Sequence, residues 1–435
     1  MEESPTHIWI AVAIVVTLLS VIIASVTLRF QPTPSKARQT SKAKKKREGC
    51  CPFTAETDFI VETGSNLSPT PWDLFEDWFN CENIPADTAK IRSTPKEYKP
   101  FAARWLNAGI SGQDTPGHLM AGLKRLKDQK WFLVEDPPRR FVHELGLKQK
   151  NLDDEGRCAY VQEQDSLVAQ AEVLELFCHY LPKRYPDYYE YKNDSGQDGP
   201  SITVKPLKQT FLLSDYEDKP LHLCARIVQE DLILLRPSRP ESDTSSAYHM
   251  AAAAVVFSFS GLDEKLGKPV EFIHAPVPGF EEQLRKTLNL FFEKLLKIEQ
   301  PLWRNNWVVT PESGGLLDTP NYGTADADST RQLQDEKASP PTRDEFERMF
   351  LKVEYQTIRR LPRSGNLLFT VKMMVDRLRE LEKVPRAAAC LAKSIRGMSP
   401  SMRAYKGIGN GEDATYEAVL HYLDDIGRDA TTDQP

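Results

Sequence analysis

Residues 272–280, "FIHAPVPGF", place one histidine between an apolar run and two prolines. Upstream, "AAAAVVFSF" (251–259) predicts a strand, because it is a short run of apolar residues. Downstream, residues 279–300 carry leucines and phenylalanines at helical spacing and predict an amphipathic helix. Each proline fixes φ and lacks an N–H donor, so the bend is predicted to be rigid. A rigidly held imidazole suits an axial metal ligand, and the alternative for His274 is a satisfied core histidine.

The pattern outside this bend predicts an α+β fold with an antiparallel sheet. A helix is expected from about Ser166 to Tyr180, ended by Pro182. Helices, strands, one long helix, a strand pair and closing helices follow one another without a regular βαβ alternation, which favours a sheet flanked by helices. Further strands are predicted in four runs: 201–207, 221–237, 349–362 and 366–375.

The N-terminus departs from the pattern of a soluble protein. Residues 8–28 contain no charge and are long enough to cross a hydrocarbon core as a helix. Acidic residues precede this run and many lysines and arginines follow it, so the positive-inside rule predicts a single-pass anchor with a cytosolic body, at the endoplasmic-reticulum membrane. The predicted organisation is an anchor (1–30), a basic tether and irregular lead-in (31–96), a main domain (97–424) with a flexible insert (311–341), and a tail (425–435).

Composition and absent motifs exclude several classes of protein. The net charge of −6 argues against a general nucleic-acid binder. The seven cysteines are scattered, and no pair has the spacing of a metal knuckle. The chain contains no Gly-rich phosphate loop, no G-x-S-x-G and no H-E-x-x-H. Redox chemistry would therefore need a cofactor other than one on a Rossmann turn, and electrons from elsewhere.

Two further clusters could belong to a binding site. "WRNNW" (303–307) combines two indoles, a guanidinium and amides, which suits a pocket wall that binds a carboxylate or propionate, and a helix-ending cap is the alternative. In "VEYQTIRR" (353–360), alternation places Glu354 and Gln356 on one face of a strand. Arg359 and Arg360 could pair the propionates of a haem, and a solvated face is the alternative for them.

Several separated blocks resemble, in order, the haem-dependent oxidative N-demethylase alpha-subunit family. They extend over roughly residues 97–424. The blocks are "KPFAARWLNAGIS" (99–111), "WFLVEDPPRR" (131–140), "AEVLELFCHYLPKRYP" (171–186), "LGKPVEFIHAPVPGF" (266–280), "WRNNW" (303–307) and "EYQTIRRLPRSGNLLFTV" (354–371). This chain departs from the family pattern at Tyr355, in "VFSFS", and by its N-terminal run and insert, additions that suggest a eukaryotic, fungal-type member acting on a larger or more apolar substrate.

The resemblance implies a PAS-like fold that binds haem b and oxidises a methylamine with O₂. Electrons would originate in NADPH and arrive through a flavoprotein reductase. His274 becomes the candidate iron ligand. Arg304, Arg359 and Arg360 become cofactor-binding residues. Asn306, Trp307, Glu354 and Gln356 become the candidate catalytic residues.

We therefore expect a membrane-anchored haem-dependent monooxygenase, with O₂, an amine or other apolar substrate, the reductase and membrane lipid as partners and with no nucleic acid. A haem-binding sensor without enzymatic activity is the alternative, because PAS-like folds often sense. A tethered interaction protein that has lost its haem is the third possibility. If His274 is not the ligand, His222 on the predicted strand at 221–237 is the next candidate.

Overall fold

The computed structural model describes residues 123–126, 131–134, 138–193, 199–238, 248–259, 261–310, 342–383, 385–406, 408 and 414–432. The strands of this part of the chain are β1 (Lys124–Arg125), β2 (Tyr160–Gln162), β3 (Tyr189–Lys192), β4 (Ser201–Val204), β5 (Gln209–Leu212), β6 (Asp231–Pro237), β7 (Tyr248–Ala254), β8 (Leu302–Thr310), β9 (Phe350–Arg360) and β10 (Leu367–Arg377). The α-helices are α1 (Pro138–Leu152), α2 (Leu167–Arg184), α3 (Pro220–Ile227), α4 (Leu262–Lys265), α5 (Val270–His274), α6 (Phe280–Gln283), α7 (Arg285–Leu290), α8 (Arg343–Arg348), α9 (Pro385–Arg396), α10 (Pro400–Tyr405) and α11 (Ala414–Thr432).

Seven of these strands form one sheet in the order β1-β8-β9-β10-β6-β7-β2, and every neighbouring pair is antiparallel. The other three form a small antiparallel sheet in the order β3-β4-β5. The predicted α+β fold with an antiparallel sheet flanked by helices is thus found.

β9 and β10 form the centre of the large sheet and pair along their whole lengths. Both are buried on the two faces, as expected where helices cover both sides of a sheet. In the turn between them, Gly365 has a φ of 69°, which favours glycine because that residue lacks a Cβ. The buried carboxylate of Glu172 accepts hydrogen bonds from the backbone N–H of Arg363 and Ser364 at 2.8 and 2.9 Å. Helix α2 therefore fixes the turn that joins the two central strands.

Each face of the sheet has its own apolar core. The larger core packs α2, α3, α9 and α11 against one face, with Trp131, Phe177 and Leu391 among its fully buried residues. The smaller core covers the other face and includes Ile233 of β6 and Ile358 of β9.

The connection from β7 to β8 (residues 261–301, the β7–β8 connection) lies over the smaller core. Its residues Val270, Phe292 and Leu296 pack there with Ile358. Because side chains alternate along a strand, Ile358 shares its face with Glu354 and Gln356. The predicted bend and the predicted polar strand residues therefore belong to the same side of the sheet.

Three local predictions from the sequence are wrong, and one alternative is excluded. "WRNNW" lies in β8, which excludes the alternative of a helix-ending cap. The single helix expected at 279–300 is divided into α6, α7 and a π-helical turn, Phe291–Leu295. "LHLCARI" forms most of α3, so His222 is on a helix, and a short apolar run cannot distinguish a buried helix from a strand. α2 continues through Pro182 and ends at Arg184.

The prediction of a transmembrane helix before the fold is also wrong: within the described ranges, no helix is long and apolar enough to cross a membrane. The two long described helices, α2 and α11, carry several charged side chains because they pack as amphipathic helices on a protein core. The predicted membrane location depended on that helix and is corrected with it. Residues 8–28 and the predicted insert at 311–341 lie outside the described residues.

Candidate functional site

His274 is the last residue of α5, and one of its ring nitrogens is held by the helix itself. Nδ1 lies 2.8 Å from the carbonyl oxygen of Val270. A carbonyl can only accept a hydrogen bond, so Nδ1 carries the proton and Nε2 carries the lone pair. The ring also stacks on Phe280, with centroids 5.2 Å apart and planes at 20°. The imidazole is thus fixed in orientation with its ligating nitrogen turned away from the helix backbone, as metal-binding histidines are.

The side chain of His274 is exposed at the end of α5. The surrounding protein nevertheless lowers the pKa of the imidazole, chiefly by desolvation, against a rise from the hydrogen bond to Val270. Because its pKa is lowered, the imidazole is neutral at pH 7, which is the state that binds a metal ion.

Four polar side chains of the sheet, the polar wall, lie on the side that carries the smaller core and α5. In the β8–β9 ladder Arg304 lies opposite Gln356, and Asn306 lies opposite Glu354. Directly opposed residues of antiparallel strands project from the same face, so these four side chains form one patch. The charge of Arg304 contributes to the lowered pKa of His274, so the patch lies within electrostatic range of the imidazole. The structure therefore places five of the residues predicted from the sequence on one side of the sheet.

Glu354 is held by two amides. Its Oε2 accepts hydrogen bonds from Nδ2 of Asn306 at 3.2 Å and from Nε2 of Gln356 at 2.6 Å. In the described part of the chain, no lysine or arginine forms an ion pair with this carboxylate. Oε1 is therefore available for a ligand with a positive charge or an N–H donor.

Arg304 carries a charge for which the described residues provide no hydrogen-bond or ion-pair partner. Its Nε is buried without a hydrogen bond. Burial lowers the pKa of the guanidinium, against a rise from the Glu354 carboxylate and the Tyr405 hydroxyl. A buried guanidinium is costly unless an anion pairs with it, so this side chain is suited to bind one.

Lys406 and Tyr405, at the end of α10, also belong to the site, and the sequence analysis missed them. Lys406 Nζ donates to Oδ1 of Asn306 and to the carbonyl oxygen of Trp307, the latter at 2.9 Å. Among the described residues, β1 pairs with β8 at Leu302 and Trp303, before that carbonyl in the strand. Burial lowers the pKa of Lys406 to about 8 and raises that of Tyr405 to about 12. Only the docking of α10 on β8 reveals them, because neither lies in a recognisable motif.

The remaining predicted residues lie elsewhere. Trp307 is on the opposite face of β8 and is buried in the larger core. Arg359 also points to that face, with its guanidinium carbon 4.1 Å from the centre of the Trp131 ring. Arg360 donates to the carbonyls of Leu296, Phe292 and Gly365 and to the Tyr248 hydroxyl. The structure thus does not bring these three side chains to His274.

The residues present fit a haem better than a metal ion held by protein ligands alone. No cluster of three histidine, cysteine or carboxylate side chains is arranged to hold a metal within the described ranges. A metal bound through His274 would take its other ligands from a group that brings them, as the iron of a porphyrin does. The hydrogen bond of Nδ1 fixes the ring and leaves Nε2 as the nitrogen that would bind the iron.

A comparison with known families identifies the family of this chain. The family described as "Haem-dependent oxidative N-demethylase, alpha subunit-like" matches residues 122–416, which is more than half of the 435-residue chain. The match contains α5, β8, β9 and α10, and so contains every residue of the site. The family predicted from the sequence is confirmed. The chain belongs to the haem-dependent oxidative N-demethylase alpha subunit-like family.

Proposed function

We propose that the protein is a haem-dependent oxidoreductase that removes a methyl group from an amine, with His274 as the axial iron ligand. The family name supports haem dependence and demethylase-like chemistry. The observation that carries the proposal is the pair of nitrogens of His274. Nδ1 is engaged by Val270, which leaves the Nε2 of an exposed side chain for a metal, and the polar wall lies on the same side of the sheet.

A haem b, bound without covalent attachment, would be held through His274 of α5. The chain has no C-x-x-C-H sequence for covalent attachment. Arg304, Asn306, Glu354 and Gln356 of the β8–β9 face would provide the polar surroundings. We assign the binding of the amine to these four side chains. The proposed protein is a fungal-type member with a PAS-like sheet.

The proposed reaction is R₂N–CH₃ + O₂ + 2e⁻ + 2H⁺ → R₂NH + HCHO + H₂O. The haem, when bound, supplies the reductive activation of O₂. Glu354 would attract the protonated amine through Oε1, since its Oε2 is fixed by Asn306 and Gln356. Lys406 keeps the Asn306 amide in the orientation that allows Nδ2 to donate to Glu354. The two electrons would come from an NADPH-dependent flavoprotein reductase.

Purified full-length protein tests this proposal. It should carry a Soret band, and with NADPH, a flavoprotein reductase and a methylamine it should consume O₂ and release one formaldehyde per O₂. Glu354→Gln should keep the haem and lose formaldehyde release. A haem protein that shows no amine-dependent O₂ uptake would be a sensor, and a colourless protein would contradict haem binding altogether.

A further inference from the structure

The polar wall carries two opposite charges that do not pair with each other. Arg304 and Glu354 occupy diagonal positions of the β8–β9 ladder, because Arg304 faces Gln356 and Glu354 faces Asn306. Diagonal neighbours of this kind have their Cβ atoms about 7 Å apart, within reach of long side chains. The carboxylate instead accepts from two amides, and the guanidinium has neither a hydrogen bond nor an ion pair among the described residues.

The charges around Glu354 do not match an amine alone. Lys406 and Arg304 both act on Glu354, so two cations surround one carboxylate. A simple alkylammonium would bring a third positive charge to this wall. It would also leave the guanidinium of Arg304, whose pKa burial lowers, without an anion. A ligand that carries its own carboxylate beside its amine would satisfy both side chains.

The surroundings of Arg304 favour a substrate anion over a haem propionate. Arg304 shares its sheet face with the Glu354 carboxylate, whereas His274 is on α5. An anion that binds Arg304 meets the negative charge of Glu354 unless it also carries a positive charge, which a propionate does not. An α-amino acid has one carbon between its two charged groups, which suits two side chains at diagonal ladder positions.

We propose that the substrate is a zwitterionic N-methyl amino acid, whose carboxylate binds Arg304 and whose ammonium binds Glu354. This inference rests on the proposed function, and it names the class of amine that this site selects. Asn306 and Gln356 hold the carboxylate of Glu354 by hydrogen bonds, so Glu354 and Arg304 do not form an ion pair with each other. Bidentate hydrogen bonding of a carboxylate to a guanidinium gives the site its selectivity.

Optical titration of the full-length haem protein tests the inference, with N-methylglycine, dimethylammonium and acetate as probes. The wild type should bind N-methylglycine at least about tenfold more tightly than dimethylammonium, a difference of about 1.4 kcal/mol. Arg304→Met should remove that preference, and dimethylammonium should bind the variant at least as tightly as the wild type, because one positive charge is removed from the wall. Arg304→Lys should keep part of it, because the charge remains and the bidentate geometry is lost. Arg428→Met, which changes an exposed arginine of α11, is the matched control. It should change neither the affinity for N-methylglycine nor the affinity for dimethylammonium.

Haem content, measured on the same samples, separates the two proposals. The inference holds if both variants retain haem and their affinity for N-methylglycine falls, strongly in Arg304→Met and partly in Arg304→Lys. If Arg304→Met loses haem, the guanidinium pairs with a propionate and the inference is wrong, although haem binding stands. Equal affinity of the wild type for N-methylglycine and dimethylammonium would also overturn it. A wild type without haem would contradict the proposed function itself.

Discussion

At the scale of single residues, the environment of a histidine decides what its ring can do. His274 has Nδ1 on a carbonyl oxygen and an exposed side chain, so the lone pair of Nε2 is open to a ligand. His222 has a different environment, because it lies between the rings of Tyr160 and Tyr216 and its Nδ1 is buried without a hydrogen bond. The first arrangement suits ligation, and the second suits packing.

His274→Ala should lose most of the bound haem, because the only predicted axial nitrogen is removed. Added imidazole should restore a Soret band by filling the space of the missing ring. Haem content and the optical spectrum check this, with His222→Ala as the matched control that should keep its haem. Full haem and an unchanged spectrum in His274→Ala would contradict its role as ligand.

His222 should make the protein sensitive to acid. Burial, followed by Arg226 and Lys219, lowers its pKa from 6.5 to about 4, so the folded state holds fewer protons than the unfolded state between these values. The contribution of neutral His222 to the free energy of unfolding is therefore complete above pH 6.5 and is lost as the pH falls towards 4. His222→Gln cannot titrate, so the free energy of unfolding of the wild type should fall by about 1–2 kcal/mol relative to the variant across this range, allowing for partial solvent screening. Urea unfolding at several pH values measures it, and a constant difference would contradict the assignment.

At the scale of secondary-structure elements, Arg360 attaches the β7–β8 connection to the sheet. Its donors reach the carbonyls of Phe292 and Leu296 at the π-helical turn, where the helix predicted from the sequence is interrupted. A π-helical turn frees and redirects main-chain carbonyls, and here two of them accept from an arginine of β9. The segment that carries His274 is thereby held against the sheet face that carries Arg304 and Glu354.

Arg360→Met should destabilise the protein by about 3 kcal/mol, because several buried carbonyls lose their donor. It should also weaken haem retention, since the β7–β8 connection is then held less firmly. Arg377→Met is the matched control, because that side chain makes one long bond of 3.3 Å to the carbonyl of Arg348. Chemical unfolding and haem transfer to an acceptor protein measure the two effects. Equal stability of the two variants would show that Arg360 does not fix the connection.

At the scale of the whole molecule, the two faces of the sheet have different tasks. The larger core, with the long helices, stabilises the fold, and the smaller core holds the β7–β8 connection over the site. The smaller side also leaves large apolar side chains of that connection about half exposed, namely Phe272, Leu290 and Leu295. Binding of a group between the connection and the sheet should therefore stabilise this side most.

Removal of haem should lower the melting temperature of the full-length protein, because a ligand that binds only the folded state stabilises it by mass action. Haem at 100 times its dissociation constant would contribute about 2.7 kcal/mol. In His274→Ala the difference between samples with and without haem should largely disappear. Thermal unfolding of four samples, wild type and variant with and without haem, measures this. An equal haem effect in both proteins would mean that His274 does not couple haem to the fold.

The sequence by itself determined the elements whose patterns are long and local. β9 and β10 follow from branched and apolar runs on either side of a Gly-containing turn, and the alternation in β9 correctly placed Glu354 and Gln356 on one face. The grouped motifs also identified the family and His274 as a candidate ligand. Shorter runs failed, because burial on all sides gives a seven-residue helix such as "LHLCARI" the same composition as a strand.

Only the tertiary structure decided which polar residues meet. Arg359 and Arg360 are neighbours in sequence, yet alternation sends one to Trp131 and the other to the β7–β8 connection. Lys406 joins Asn306 across 100 residues because the fold brings the end of α10 to β8. Hydrogen bonds between distant segments depend on the packing of whole elements, and a linear pattern carries no record of that packing. The sequence therefore showed which charged residues could belong to the site, and the fold alone showed which partners they contact.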